Sequence, residues 1–237
     1  MTRGRGRNGG AIGAVRTNIT SSQSGIWGLY DAHQLRSDDT WGTPPGAPEF
    51  NWRYYAYGSN IGTTYIYWIQ TDGTQTLLRS VAGQQHTNAT STWNTYSEDL
   101  SSYSGTTGRI YIGYKTGSDY RNDPQFDNME LDDTTSGTVD LDPGTTTGRS
   151  RWQKRTAYTT STSAPTNVSF SAITISSAQA DVWNWDNGGT PSGSTGGTRD
   201  AGGSSSGYYL YFEGTTPNFS SSNRYYWVRM TSDYTLL

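Results

Sequence analysis

Phe50-Asn-Trp-Arg-Tyr-Tyr-Ala-Tyr57 and Thr64-Tyr-Ile-Tyr-Trp-Ile69 stand on either side of Gly58-Ser-Asn-Ile-Gly62. Aromatic and β-branched side chains suit a pleated, half-buried surface, and a Gly/Ser/Asn stretch suits a turn, so the two runs read as strands. Thr71-Asp-Gly-Thr74 follows as a hairpin turn, with Gln75–Ala82 as its return strand. Alternate residues of a strand face opposite sides. Tyr54, Tyr55, Tyr57, Tyr65, Tyr67 and Trp68 lie too close together for all to be buried. One alternating set is read as core and the other as an exposed aromatic stripe. Such a stripe packs against a neighbouring subunit or stacks on sugar rings. Subunit contact is the first reading, and Tyr65 and Tyr67 are its candidate residues.

The rest of the chain continues the pattern. Trp93–Leu100, Arg109–Tyr114 and Gln125–Leu131 read as further strands. Asp132–Arg149, rich in Thr, Gly and Asp around Asp142-Pro-Gly144, reads as a linker. Arg151–Thr159, Val168–Ile175, Val182–Trp185, Tyr208–Glu213 and Arg224–Met230 complete the set, with a long Gly/Ser loop at Gly188–Gly197. Short strands at this spacing indicate an all-β sandwich or jelly roll. Upstream, residues 1–24 carry no core-forming period and read as an extended basic, Gly-rich arm. In residues 25–48, Trp27, Tyr30 and Leu35 share one face of a short helix, the one helix this reading contains, and Thr43-Pro-Pro-Gly-Ala-Pro48 ends it.

Composition bounds the function. The chain has 237 residues, enough for one large β-domain or two small ones. Only 31% of residues are hydrophobic, but 18 Tyr and 9 Trp bring large rings, so few residues can still fill a core. A charged fraction of 16% is too low to hold a chain open. The net charge of −3 selects neither a nucleic acid nor a membrane as partner. The chain has no Cys, which excludes disulfide frameworks and thiolate metal sites. No apolar run is long enough to span a bilayer. The basic start lacks the apolar stretch of a signal peptide. The chain is therefore expected to be made in a cytoplasm and released by a route such as lysis.

Catalytic patterns are sparse. Of the two histidines, His86 lies in the polar stretch Gly83-Gln-Gln-His-Thr-Asn88 and reads as solvated, and His33 as a decoration of the short helix. Abundant Ser and Asp give a Ser–His–Asp pattern no weight without geometry. Glycosidases need two carboxylates flanking the bond, and Glu98-Asp99 and Glu130 lack clustered spacing. The expectation is a non-enzymatic protein.

Two stretches resemble a known family. Trp185-Asp-Asn-Gly-Gly-Thr-Pro-Ser-Gly-Ser-Thr-Gly-Gly-Thr-Arg-Asp200, continuing to Gly207-Tyr-Tyr-Leu-Tyr-Phe-Glu213, resembles the first half of a MAM domain, a concanavalin-like jelly roll. Phe50–Tyr67 resembles the start of that family's second half. Trp93, Asp99-Leu-Ser-Ser-Tyr-Ser-Gly105, Arg109-Ile-Tyr-Ile112 and Asp123-Pro-Gln-Phe-Asp-Asn-Met-Glu-Leu131 resemble its end. The halves stand in the opposite order from the family's: second-half-like residues 49–133, a linker 134–149, then first-half-like residues 150–237. The resemblance implies a jelly roll at 49–237. Either it is circularly permuted and closed within one chain, the preferred reading, or its halves are exchanged between subunits.

The start of the chain carries a second resemblance. Ile12-Gly13, Ser24-Gly-Ile-Trp-Gly-Leu29, an Asp and then Trp41 look like the opening of structural proteins of marine tailed bacteriophages. This implies a virion protein, in a capsid decoration, tail or fibre role, with other virion proteins and its own copies as partners. Arg3, Arg5, Arg7, Ile12, Trp27, Tyr30 and Trp41 would then anchor it. Spaced arginines can also neutralise phosphates, but three without a folded basic surface point first to an acidic protein neighbour. The alternative function is an adhesin for a host surface glycan, with Trp183 and Trp185 beside the Gly188–Gly197 loop as its binding tip.

One metal site is a candidate. Asp123 and Asp127 stand four apart, with Asn128 adjacent, and hard oxygen ligands suit Ca²⁺. Asp200 matches the Asp of the MAM first half. The family's use of such residues to tie its halves together implies a structural Ca²⁺ at these four positions. Turn and capping carboxylates bonded to backbone are the other reading.

Overall fold

The computed structural model describes residues 47–58, 61–87, 93–117, 124–133, 137–173, 182–186, 208–213 and 224–237. The expected arm, the helix at 25–42 and the Gly188–Gly197 loop lie outside them. The described residues belong to one unit, Pro45–Leu237.

Alternation produces the strands. β1 (Glu49–Tyr55), β4 (Asn94–Asp99), β6 (Gln125–Asp133), β7 (Gly137–Asp140), β10 (Val182–Asp186) and β11 (Tyr209–Glu213) form a front sheet. Its order is β10-β11-β6-β1-β4, with β7 on β6. The back sheet holds β2 (Thr63–Gln70), β3 (Gln75–Ala82), β5 (Thr107–Lys115), β8 (Trp152–Lys154), β9 (Ser171–Ala172), β12 (Tyr225–Met230) and β13 (Tyr234–Thr235). It is ordered β3-β2-β5-β12-β8-β9, with β13 on β5. The named strand pairs are all antiparallel, and the molecule is an all-β sandwich. Strands from 49–133 and from 150–237 sit side by side in both sheets: β6 pairs with β11, and β5 with β12.

One alternating set from each sheet fills the space between them. Phe50, Trp52, Tyr54, Phe126 and Phe212 of the front sheet meet Ile66, Trp68, Ile110, Ile112 and Tyr226 of the back. Most of the rings pack tilted or edge-on, as ring quadrupoles favour: Phe212 lies 4.7 Å from Tyr226 and 5.1 Å from Tyr114. Several polar groups at the edge of this core are paired. The Trp52 indole N–H donates to Glu98 at 2.9 Å, and Arg79 forms an ion pair with the same carboxylate. The buried Lys154 ammonium of β8 donates to the Trp183 carbonyl of β10 at 3.1 Å, linking the two sheets.

The linker at 132–149 carries more structure than its composition suggests. Val139 and Leu141, two apart, turn inward and make β7 and its continuation part of the core. Asp142-Pro-Gly then turns the chain into α1 (Thr146–Ser150), whose N-cap Thr145 hydroxyl accepts from the Gly148 amide at 2.8 Å. Only Gly fits at 148, because an added Cβ would lie 2.1 Å from the Asp142 carbonyl. This short helix and a 3₁₀ turn at Ser101–Tyr103 correct the expectation of a single helix upstream. Among the described residues, no helix is long and apolar enough to cross a membrane.

Candidate functional site

The outer faces of the two sheets differ. On the back sheet, the stripe expected to be exposed is covered. Tyr67, Ile69, Tyr111, Tyr225 and Trp227 form a second apolar cluster under the segment 155–170, to which Ala164 and Phe170 belong. Gln75 makes two bonds to Ala164, donating to its carbonyl and accepting from its amide, each at 3.0 Å. The Tyr67 hydroxyl donates to the Thr162 carbonyl, and the Trp227 indole to the Thr159 hydroxyl. Phe170 lies edge-on to Tyr111 with the Arg229 guanidinium 4.0 Å from its ring centre. Tyr67 is left 9% exposed and Tyr65 is half-buried against the same cluster, so the chain itself occupies the stripe.

Trp183 and Trp185 also depart from expectation. They are 0% and 3% exposed and point between the sheets, in register with Phe212 and Leu210. An indole in the core cannot stack on a ligand at a loop tip. His86 is buried rather than solvated, stacked 4.4 Å from Tyr55, with Nδ1 accepting from the Ala56 amide at 3.1 Å. The run Tyr55, Trp93, Tyr209 and Tyr211 makes a third buried cluster on the front sheet's outer side.

The other end of that outer face is open and mixes polar with apolar surface. A groove of about 470 Å³ crosses β1, β4, β6 and β7. A bulge shapes it. Asn51 pairs with Glu130 and Arg53 with Asp127, so Asn128 and Met129 together face Trp52. Asn128 adopts φ 46°, the one positive φ at a non-glycine position among the described residues. Bulges re-aim side chains, and here the register shift brings both Asn128 and Glu130 to the groove. Asn51, Arg53 and Thr95 line one side, and Thr138, Asp140 and Asp142 the other. The Asn51 amide makes a long contact to Glu130 at 3.4 Å. Asp140 accepts from the Asp142 amide at 2.9 Å and the Thr145 hydroxyl at 2.7 Å, and Asp142 accepts from the Gly144 amide. Glu130 thus stands as the groove's exposed carboxylate, away from these turn bonds.

Of the four calcium candidates, Asp123 and Asp200 lie outside the described residues. Asp127 is buried opposite Arg53, whereas its neighbour Asn128 is exposed at the bulge. Among the described residues, no three His, Cys, Asp or Glu side chains come together to hold a metal. Arg3, Arg5, Arg7, Ile12, Trp27, Tyr30 and Trp41, the residues expected to anchor the chain, lie outside the described residues.

The groove was not visible in the sequence. Its residues come from four strands and the turn after β7, spread over residues 51–142, and only the bulge brings Asn128 into line. Among the described residues, fold and site define a sandwich with one face strapped by its own chain and a mixed polar and apolar groove on the opposite sheet. No protein-family model matches the chain, and neither a curated protein nor a solved structure matches it.

Proposed function

We propose that this chain is a non-enzymatic structural protein of a bacteriophage particle that displays its sandwich as a self-contained unit. The observation that carries the reading is the sharing of both sheets by the segments 49–133 and 150–237. A domain closed in this way has no need of a neighbour's strand, and it can be presented on a stalk or shell. The ordered MAM-like stretches support a permuted jelly roll for that unit. The phage-like opening, with Arg3, Arg5, Arg7, Ile12, Trp27, Tyr30 and Trp41, supports anchoring by the segment upstream of it.

The test is the presence of the chain in gradient-purified particles of the phage whose genome carries it. Mass spectrometry of intact particles will detect it at fixed stoichiometry, and a version lacking residues 1–46 will fold but not co-purify. Recovery only in the soluble fraction of the lysate overturns the proposal. A second reading, recognition of a host surface glycan, is favoured by the groove on the front sheet and not by the aromatic residues first expected to carry it.

A further inference from the structure

We infer that the groove across β1, β4, β6 and β7 is a binding site for a neutral saccharide chain. It stands whether or not the protein belongs to a particle. The groove's 470 Å³ lies inside the range of ligand sites, roughly 300–1,000 Å³. Its lining is shared about equally between polar and apolar surface, so it carries more polar groups than most such sites. An apolar ligand would strip water from Arg53 and Glu130 and return no hydrogen bond, a net cost.

The lining selects hydroxyl groups. Arg53 only donates and Glu130 only accepts, while Asn51, Asn128 and Thr95 do both, and Thr138, whose hydroxyl donates to Asp132, accepts. A hydroxyl donates and accepts at once, so a row of them can satisfy such a mixed surface. Charge narrows the class. Glu130, Asp140 and Asp142 stand against the single guanidinium of Arg53, which opposes phosphate, sulfate or uronate groups. A basic peptide would meet two carboxylates, Asp140 and Asp142, already bonded to turn amides and a hydroxyl, and would face Arg53 as well. The exposed rims at Thr95, Asn128, Glu130 and Thr138 leave room for a chain to run through.

The test uses the purified full-length chain on an array of neutral, sulfated and uronate oligosaccharides, with oligoarginine as a separate probe. Hits are measured by calorimetry. The expected result is binding confined to neutral saccharides. Glu130→Gln keeps the shape but loses a charged acceptor and weakens binding roughly tenfold. Thr138→Trp, at an exposed position, blocks the groove and abolishes binding, while Leu77→Ser on the back sheet changes nothing. No saccharide binding overturns the inference. So does binding that both groove variants leave intact, equal binding of anionic saccharides, or binding of oligoarginine alone.

Discussion

Trp183 lies between Phe126 and Phe212, its ring 5.6 and 5.7 Å from theirs, with no exposed surface. Its place in the core predicts that Trp183→Ala lowers unfolding free energy by about 3–5 kcal/mol in chemical denaturation. A surface tryptophan reserved for ligand would cost little, so a loss under about 1 kcal/mol would return it to the surface. The buried tyrosines give a second signature. Burial pushes the Tyr55 hydroxyl from 10.0 up to about 12. It also raises Tyr54, Tyr67 and Tyr225. The unfolded chain releases these protons near pH 10, and the folded chain at higher pH. Their contribution to stability is complete below about pH 10 and is lost as pH rises through about 12. Tyrosinate absorbance will therefore show a late-titrating set whose ionisation coincides with loss of tertiary signal. Full tyrosine ionisation near pH 10 with the fold intact would contradict this burial.

Elements differ in how openly the sequence announces them. The hairpin of β2 and β3 is written in local signals: Thr71-Asp-Gly-Thr74 turns the chain, and Gln75–Ala82 has the bounds expected of it. Aromatic alternation likewise marks β1, β5, β6, β11 and β12. β7 and α1 are hidden because Asp132–Arg149 is polar apart from Val139 and Leu141, whose inward spacing is too short to stand out. Arg151–Thr159 reads as one strand, but only Trp152–Lys154 pairs as β8 before the chain leaves to cover the back sheet. That cover is a tertiary event, and nothing local in Tyr65 or Tyr67 signals it. It rests on a few contacts, so Phe170→Ala will raise hydrogen exchange across 156–170 and leave β5 and β12 protected. Equal loss of protection in β5 and β12 would show instead that the segment and sheet unfold together. The bulge in β6 is equally cryptic in sequence. Asn tolerates its positive φ, and Gly does so without strain, so Asn128→Gly will hold stability within about 1 kcal/mol. Asn128→Val will lose about 1–3 kcal/mol by thermal denaturation. Similar effects of the two variants would mean that the bulge imposes no such demand.

At the scale of the whole molecule, aromatic side chains supply most of the largest buried groups. Five of the largest fully buried side chains are Trp52, Trp68, Trp152, Trp183 and Trp227, and they let a chain that is 31% hydrophobic enclose two sheets. The fold class was legible because rings and β-branched residues recur at strand spacing between Gly-rich turns. The groove was not, because it depends on how distant strands align across a bulge. The proposed display role unites the closed sandwich with the phage-like segment upstream of it. Cryo-electron microscopy of purified phage particles tests it most directly. The account predicts a repeated two-sheet density attached to shell, tail or fibre, with β5 and β12 of each back sheet traced to a single chain. Particles lacking that density, or a sandwich whose 49–133 and 150–237 segments trace to different subunits, would contradict it.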